Sequence, residues 1–184
     1  MRFGKKTFEA ILQPHIKHLY RVAYRLCGNT HDSEDLIQEL LIKLYPQRNE
    51  MQSIEYLRAW MVRVLYHLYL DIKRREQRSP MAWLDNDETK LDSLTSNNTT
   101  PEALAEETSS QQQLINIVNT LNDDQRVLII LSDIEGYTLK ELANILDIPI
   151  GTIKSRLSRA RSQLRILLSR EPYQQNYHAN ITKG

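Results

Sequence analysis

The stretch from Thr152 to Arg170 carries six lysine or arginine residues and no acidic residue. Its apolar residues recur at helical spacing and predict one buried face, formed by Ile153, Leu157, Ala160, Leu164 and Leu168. The polar residues of the first two turns lie on the opposite side, and they are Thr152, Ser155, Arg156 and Arg159. The apolar face is flanked along its other edge by Lys154, Arg161 and Arg165. Because cations neutralise phosphates and the first turns of such a helix reach base edges, this stretch predicts duplex DNA binding.

A second helix precedes this basic helix and positions it. Thr138 and Glu141 have the spacing of a capping box, which predicts that a helix starts there. Asp147-Ile148-Pro149 then ends that helix, because proline disfavours helical backbone at the residue before it. The basic helix restarts near Ile150-Gly151-Thr152, which completes a helix-turn-helix. The alternative is a solvated basic face on an ordinary helical hairpin, but the agreement of capping, turn and charge placement favours DNA binding.

The composition predicts a soluble, all-α protein of one or two small domains. Of the 184 residues, 41% are hydrophobic and 26% are charged, while glycine and proline number only 5 and 6. The apolar runs are too short to cross a bilayer, and the N-terminal residues lack the apolar segment of a signal peptide. The lone cysteine, Cys27, excludes an intramolecular disulfide and fits a reducing cytoplasm.

The formal net charge of +1 hides an uneven distribution along the chain. Residues 1–80 have a balance of +5, residues 81–110 of −6 and residues 111–184 of +2. A nucleic-acid-binding protein with a nearly neutral total needs this kind of local segregation of charge. The acidic middle, residues 80–105, predicts a flexible linker between domains at 8–79 and 106–170, with a loose tail over 171–184.

Amphipathic helices are predicted on both sides of this linker. The first runs from Phe8 to Leu26 and ends at Gly28-Asn29-Thr30. Asp32 or Ser33 caps the second, which Pro46 closes before a loop over residues 46–55. A long third helix runs from about Ile54 to Gln77. After the linker, helical pattern returns from Pro101 to Leu121, and Asn122-Asp123-Asp124 caps the helix before the helix-turn-helix.

The helices of the first half are expected to bury their apolar faces against one another. The inward residues are Ile16, Leu19, Ala23 and Leu26 in the first helix, Leu36, Ile37, Leu40, Leu41 and Leu44 in the second, and Leu57, Met61, Val64, Leu65, Leu68 and Ile72 in the third. The third helix ends in the basic run Lys73-Arg74-Arg75, with Arg78 just beyond. In the linker, Trp83, Leu84, Leu91 and Leu94 are the side chains able to dock elsewhere.

Catalytic chemistry has little support in the sequence. Neither a glycine-rich phosphate loop nor a nucleophile elbow is present, so no catalytic residue, cofactor or enzymatic activity is expected. The spacing of His15, His18, Cys27 and His31 matches no standard zinc cluster. Cys27 is more typical of a small buried hydrophobic residue than of a redox sensor.

Three segments in order resemble the extracytoplasmic-function (ECF) sigma factors of bacterial RNA polymerase. They are HDSEDLIQELLIKLY (31–45), YLRAWMVRVLYHLYLDIKRR (56–75) and LNDDQRVLIILSDIEGYTLKELANILDIPIGTIKSRLSRARSQLR (121–165). The resemblance covers about residues 8–170 and implies a promoter-specificity factor that partners core RNA polymerase (its β′ clamp and β) and promoter DNA. It also implies an antagonist, an anti-sigma factor that is often membrane-bound, and a linker that threads the polymerase cleft.

The resemblance assigns a role to each segment. The first would dock on the β′ clamp through Asp35, Gln38 and Glu39, although helix pattern alone allows an ordinary solvated face. The second would read and melt the −10 element, with the adjoining loop capturing a flipped base. The third would read the −35 element through Thr152, Lys154, Ser155, Arg156, Arg159 and Arg161.

Candidate −10 residues follow from that assignment. Hydrogen bonds to a captured base would come from Arg48, Asn49, Gln52 and Ser53, stacking from Tyr56 and Trp60, and phosphate contacts from Lys73, Arg74, Arg75 and Arg78. Trp60 is equally compatible with a buried core position. His67 stands where the family commonly has asparagine, which puts base readout there in doubt. Pro149 replaces a small hydroxyl residue, a change that a helix start tolerates well.

One alternative function remains open, a stand-alone dimeric helix-turn-helix regulator. Its DNA-binding motif would look much the same, but it would have no need of the 31–45 and 56–75 segments. It would also bind duplex DNA tightly by itself.

Overall fold

The computed structural model describes residues 7–78 and 117–170, and every regular element in these two ranges is a helix. The chain divides into two compact units, one containing residues 7–78 and the other most of residues 117–170. The predicted all-α class is therefore confirmed. The predicted linker and tail, with Trp83, Leu84, Leu91 and Leu94, lie outside the described residues.

Four α-helices build the first unit: α1 (Phe8–Leu12), α2 (Ile16–Cys27), α3 (Thr30–Leu44) and α4 (Leu57–Arg78). Helices α2, α3 and α4 pack on one another. Their contacts bury large apolar side chains almost completely, among them Leu19, Leu26, Leu36, Leu40, Leu44, Met61 and Leu65. Burial of such side chains stabilises the bundle by about 1.5–3 kcal/mol each.

Some residues predicted to point inward are only half-buried. They are Ile16, Leu41, Leu57, Val64 and Ile72. Leu41 and Val64 lie at the edge of their helices' apolar faces, whereas Ile16 and Leu57 are the first residues of α2 and α4 and Ile72 lies in the last two turns of α4. A bundle of this size cannot enclose the full width of every apolar face.

The predicted single helix over Phe8–Leu26 is wrong, because the chain breaks into α1 and α2 around Pro14. Proline has no backbone N–H, and inside a helix its ring clashes with the preceding turn. The apolar spacing continues across the break, since Ile11 and Leu12 are buried as well.

The α2–α3 turn combines a glycine stop with an asparagine cap. Gly28 takes the left-handed conformation at φ 80°, as predicted for a helix end. The next helix is capped by Asn29, not by Asp32 or Ser33 as predicted: Asn29 Oδ1 accepts the Asp32 N–H at 2.9 Å. The hydroxyl of Ser33 is turned inward and donates to the Asn29 carbonyl.

The connection between α3 and α4 is not an irregular loop. Two 3₁₀ turns, Tyr45–Gln47 and Met51–Ser53, occupy it, and α4 begins at Leu57 rather than Ile54. Met51 is 1% exposed, so a core side chain anchors the middle of the connection. Arg78, expected beyond the helix, forms its last residue.

The second unit contains α5 (Asp123–Ile129), a π-helical segment (Ile130–Ile134), α6 (Leu139–Leu146) and α7 (Ile150–Arg170). Asn122 caps α5, as predicted, by accepting the Gln125 N–H at 2.9 Å. The π segment was not predicted, and its wider turn is visible in the Glu135 N–H to Ile130 carbonyl bond of 2.9 Å.

Candidate nucleic-acid interface

The helix-turn-helix is formed by α6, the turn at Asp147 and α7. The predicted capping box is present: the Thr138 N–H donates to Glu141 Oε2 at 2.8 Å, and the Glu141 N–H donates to Thr138 Oγ1 at 3.3 Å. Asp147 takes the left-handed conformation at φ 59°, where asparagine and aspartate are the non-glycine residues best tolerated. The turn therefore falls where the sequence predicted it.

The buried face of α7 fixes which side chains reach solvent. Ile153, Leu157 and Ala160 are buried, whereas Leu164 and Leu168, predicted to lie inward, are only half-buried. Helix α7 packs on α5, and its buried side chains lie in its first three turns. All but one of the candidate −35 residues are exposed, namely Lys154, Ser155, Arg156, Arg159 and Arg161. The exception is Thr152, which is half-buried.

A cleft of about 450 Å³ lies between α7 and the start of α5. Arg156 and Arg159 line one side, and the other side is lined by Asn122, Asp123, Asp124, Gln125 and Leu128. Arg156 Nη1 lies 3.4 Å from Asp124 Oδ2, and both side chains are well exposed. Arg159 has no acidic partner within residues 117–170. Both guanidinium groups can therefore turn toward a ligand at little cost.

Arg161 stands in a different environment. It donates from Nε to Asp133 Oδ2 at 3.0 Å and from Nη2 to Asp133 Oδ1 at 2.6 Å, with Ser132 Oγ at 3.4 Å. Burial acts to raise the pKa of Asp133, but the hydrogen bonds from Arg161 and Ser132 lower it overall. The bidentate bond also raises the pKa of Arg161.

An exposed face of α3 carries the candidate polymerase contacts. Asp35 and Gln38 are exposed and Glu39 is half-buried. Ile42 lies one turn beyond Gln38 and is 73% exposed, an unusual position for an isoleucine. Ile42 was not predicted as a site residue, although its place outside the apolar stripe is a signal that the sequence contains.

The α3–α4 connection presents a stacked pair. The Arg48 guanidinium lies 4.5 Å from the ring centroid of Tyr45, and Phe8 meets the same ring edge-on at 5.4 Å. Tyr45 was not predicted as a site residue, yet it is 53% exposed. The predicted candidates Asn49, Gln52 and Ser53 are exposed, and Tyr56 is 65% exposed.

Helix α4 carries the remaining candidate −10 residues. Trp60 and His67 are half-buried, so each keeps one accessible edge. Arg74 pairs with Asp71 at 3.4 Å and Lys73 with Glu76 at 2.9 Å, while Arg75 is exposed. Burial acts to lower the pKa of Lys73, but the hydrogen bond and charge of Glu76 raise it overall.

Lys73 and Arg75 share a groove of about 280 Å³ with Cys27, Asp35 and Glu39. The groove thus joins the acidic face of α3 to the basic end of α4. Burial, reinforced by the charge of Asp32, raises the pKa of the Cys27 thiol to about 12. A thiol in this state is a poor nucleophile.

The described parts of the chain contain neither a metal-ligand cluster nor a membrane-spanning helix. Within residues 7–78 and 117–170, no three His, Cys, Asp or Glu side chains come together as metal ligands would. None of the helices in those ranges has the length and hydropathy of a membrane span.

Comparison with known proteins identifies the class. The Sigma-70 region 2 model matches residues 11–79, and the Sigma-70 region 4 model matches residues 111–164. Together these two regions define a sigma factor, a promoter-specificity subunit of bacterial RNA polymerase.

Individual relatives narrow the class further. The ECF RNA polymerase sigma factor SigW of Bacillus subtilis is 30% identical over 165 residues, which are 86% of this chain and 87% of SigW. SigE of Mycolicibacterium smegmatis is 32% identical over 164 residues, 89% of this chain, and this chain spans 62% of its length. The chain belongs to the ECF sigma factors.

A solved structure agrees with this assignment. It is the sigma factor RpoE from Bartonella quintana, crystallised in complex with the anti-sigma factor NepR. The match has a TM-score of 0.69 at 29% identity and covers 89% of this chain and 98% of RpoE.

Proposed function

We propose that this sigma factor binds core RNA polymerase and directs initiation by reading a −35 duplex with α7 and by opening and reading a −10 element with its first unit. One observation carries the proposal: a chain with a duplex-reading helix also carries a separate helical unit that matches Sigma-70 region 2. A regulator that only binds duplex DNA has no use for that unit. The protein thus acts by binding rather than by catalysis.

Polymerase docking falls to the exposed face of α3. Asp35, Gln38 and Glu39 offer carboxylates and an amide to a basic surface such as the β′ clamp. Ile42 adds an apolar centre to this polar face. Interfaces of this kind draw most of their energy from a few well-packed residues, whereas rim charges steer association.

Reading of the −10 element falls to the α3–α4 connection and the adjacent part of α4. Arg48, Asn49, Gln52 and Ser53 supply hydrogen bonds, and Tyr56 and the accessible edge of Trp60 supply stacking surfaces. Arg74, Arg75 and Arg78 are exposed on the last turns of α4, where they suit phosphates. His67 offers a half-buried imidazole to the melted strand in place of an amide.

Reading of the −35 element falls to the first turns of α7. Arg156 and Arg159 line the open cleft, Ser155 is exposed beside them, and Lys154 is exposed on another side of the helix. Arginine recognises guanine by two parallel hydrogen bonds, and such a pair distinguishes bases by about 1–3 kcal/mol. Thr152, half-buried at the helix start, is placed for a backbone phosphate.

Regulation by an anti-sigma factor is part of the proposal. Support comes from the RpoE relative, whose structure contains the anti-sigma factor NepR. The proposed domains are residues 8–79 and 106–170, joined by the acidic stretch 80–105, and the proposed location is the cytoplasm, where the polymerase acts.

The decisive experiment combines a polymerase pull-down with transcription from a randomised promoter library. Specific transcripts that require both core polymerase and this protein are the expected result. Failure to bind polymerase, together with tight duplex binding by the chain alone, would instead establish the dimeric regulator.

A matched pair of charge reversals tests the docking face within the same assay. Glu39→Lys should release the polymerase, whereas Glu9→Lys, a reversal at an exposed acid on α1, should not. Circular dichroism checks that both variants keep the helical fold. Equal retention of polymerase by the two variants would contradict the proposed contact between Glu39 of α3 and the polymerase.

A further inference from the structure

Two arginines of α7 form ion pairs with acidic residues of α5 and the π segment, and the two pairs differ in strength. Arg156 approaches Asp124 through one long contact of 3.4 Å, and the side chain of Asp124 is 74% exposed. Arg161 binds Asp133 through two bonds of 2.6 and 3.0 Å, and the side chains of Arg161 and Asp133 are 52% and 31% exposed. Exposed single contacts contribute little, whereas bidentate, partly buried pairs are among the stronger ones.

The backbone that presents Asp133 is itself fixed. Asp133 lies in the π segment, whose neighbouring side chains Ile130 and Leu131 are 1% and 0% exposed. The hydroxyl of Ser132 adds a third contact to the Arg161 guanidinium. Arg161 is therefore tied to a well-packed part of the second unit, on a different side of α7 from Arg156 and Arg159.

We propose that Arg161 is a positioning residue which, held by Asp133, sets the orientation of α7 and so aims Arg156 and Arg159 at the bases. This rests on the proposed function of α7 as the reader of the −35 element. Asp133 accepts from Nε and Nη2 of Arg161, so the guanidinium cannot offer this fork to a phosphate without giving up the pair. Arg161 thus acts on DNA through Arg156 and Arg159 rather than by touching it.

The two roles predict opposite effects for removal of the acid. If Arg161 contacts phosphate, Asp133→Asn frees its guanidinium and removes a negative charge near DNA, so binding tightens. If Arg161 positions α7, the same change loosens the helix and binding weakens by roughly fivefold. Asp124→Asn is the matched control, because it breaks an exposed pair and should leave binding unchanged or tighter.

The measurement uses full-length variants with core polymerase and a duplex promoter recovered by the unchanged protein from a randomised library. Weaker promoter binding by Asp133→Asn, with Asp124→Asn unaffected, is the expected result. Binding by Asp133→Asn as tight as that of the unchanged protein would overturn the positioning role. Recovery of no promoter by the unchanged holoenzyme would instead contradict the proposed function.

Salt dependence provides a readout that does not need a promoter. For the chain alone on a 30-base-pair duplex of random sequence, loss of a phosphate contact lowers the slope of log affinity against log salt by about 0.9. Arg161→Ala should keep the slope of the unchanged chain, whereas Lys154→Ala should lower it. A lower slope for Arg161→Ala would place that residue on the DNA backbone.

A charge swap tests the proposal even if the single variants destabilise the fold. Asp133→Arg combined with Arg161→Asp restores the pair in reverse, so it should recover promoter binding relative to either single change. Arg161→Lys keeps the charge but cannot form the fork, so it should resemble Arg161→Ala. A swap that folds, as judged by thermal unfolding, but does not recover binding would overturn the proposal.

Discussion

The guanidinium of Arg48 lies over the ring of Tyr45, 4.5 Å from its centroid, while Arg48 Nη1 donates to the Tyr45 carbonyl at 3.0 Å. Two contacts therefore hold the first turn of the α3–α4 connection together. Phe8 supports the far edge of the ring. A cation stacked on an exposed aromatic ring is a surface on which an unpaired base can also stack.

Tyr45→Ala should reduce promoter opening more than it reduces polymerase binding. Loss of a stacking surface costs about 1–3 kcal/mol per base, so open complexes should fall by roughly fivefold to a hundredfold or more. Permanganate footprinting of the −10 region measures them directly. Tyr45→Phe keeps the ring and should behave as the unchanged protein. A similar loss of polymerase binding in Tyr45→Ala would instead indicate a docking role.

Ile42→Ala should weaken binding of core polymerase. Truncation of a well-packed interface residue costs upward of about 1 kcal/mol, which is roughly a fivefold loss of affinity. Competition between variant and unchanged protein for limiting core polymerase measures the change. Ile166, a second exposed isoleucine on α7, provides the control, and Ile166→Ala should compete normally. Equal competition by the two variants would show that Ile42 lies outside the interface.

Arg156→Ala or Arg159→Ala should weaken −35 recognition by about 1–3 kcal/mol for whichever arginine pairs with a base. The loss should be confined to particular base pairs, because a bidentate contact reads one guanine. Transcription from a library randomised only in the −35 element maps the lost preference. An unchanged −35 preference in both variants would exclude base contacts by these arginines.

Because of His18, the free energy of unfolding should decrease in mild acid. Burial and the charges of Arg58, Arg21 and Arg25 lower the pKa of His18 from 6.5 to about 4. Between those two values the unfolded chain binds the proton and the folded chain does not, so the free energy of unfolding decreases as pH falls. His18→Gln should reduce this decrease in urea unfolding at pH 6.5 and 4.5. Identical pH slopes with and without His18 would contradict it.

Cys27 should resist alkylation while the chain is folded. A thiol with a pKa of about 12 instead of 9.0 exposes on the order of a thousandfold less thiolate at neutral pH. Iodoacetamide labelling followed by mass spectrometry should therefore be slow in buffer and fast in denaturant. Comparable rates in the two conditions would mean that the groove beside Lys73 opens freely.

Local sequence was enough to predict elements whose cause lies within a few residues. Gly28 ends α2, Thr138 and Glu141 cap α6, and Pro149 precedes α7, because each acts on its own turn of backbone. The −35 candidates on α7 were exposed for the same reason, since periodicity alone decides which face is covered.

Other features depend on competition or on distance and could not be predicted from local pattern. Asn29, Asp32 and Ser33 are all good caps, and spacing alone does not choose among them, whereas in the structure Asn29 caps α3 and Ser33 is buried. Pro14 interrupts an apolar pattern that continues on both sides. The Asp133–Arg161 pair joins residues 28 positions apart, a separation at which sequence spacing carries no information.

The π segment lies between Asp124 and the end of a helical stretch whose two acids each pair with an arginine of α7. Asp124 and Asp133 are nine residues apart, about two and a half turns of a regular α-helix, which would point them to opposite sides. The wider turn at Ile130–Ile134 slows the rotation per residue, so Asp133 is turned from Asp124 by less than this half circle. The direction of Asp133 relative to Asp124 therefore depends on this one wider turn. Deleting a single residue there would rotate one acid away from its arginine while leaving every side chain of α7 unchanged.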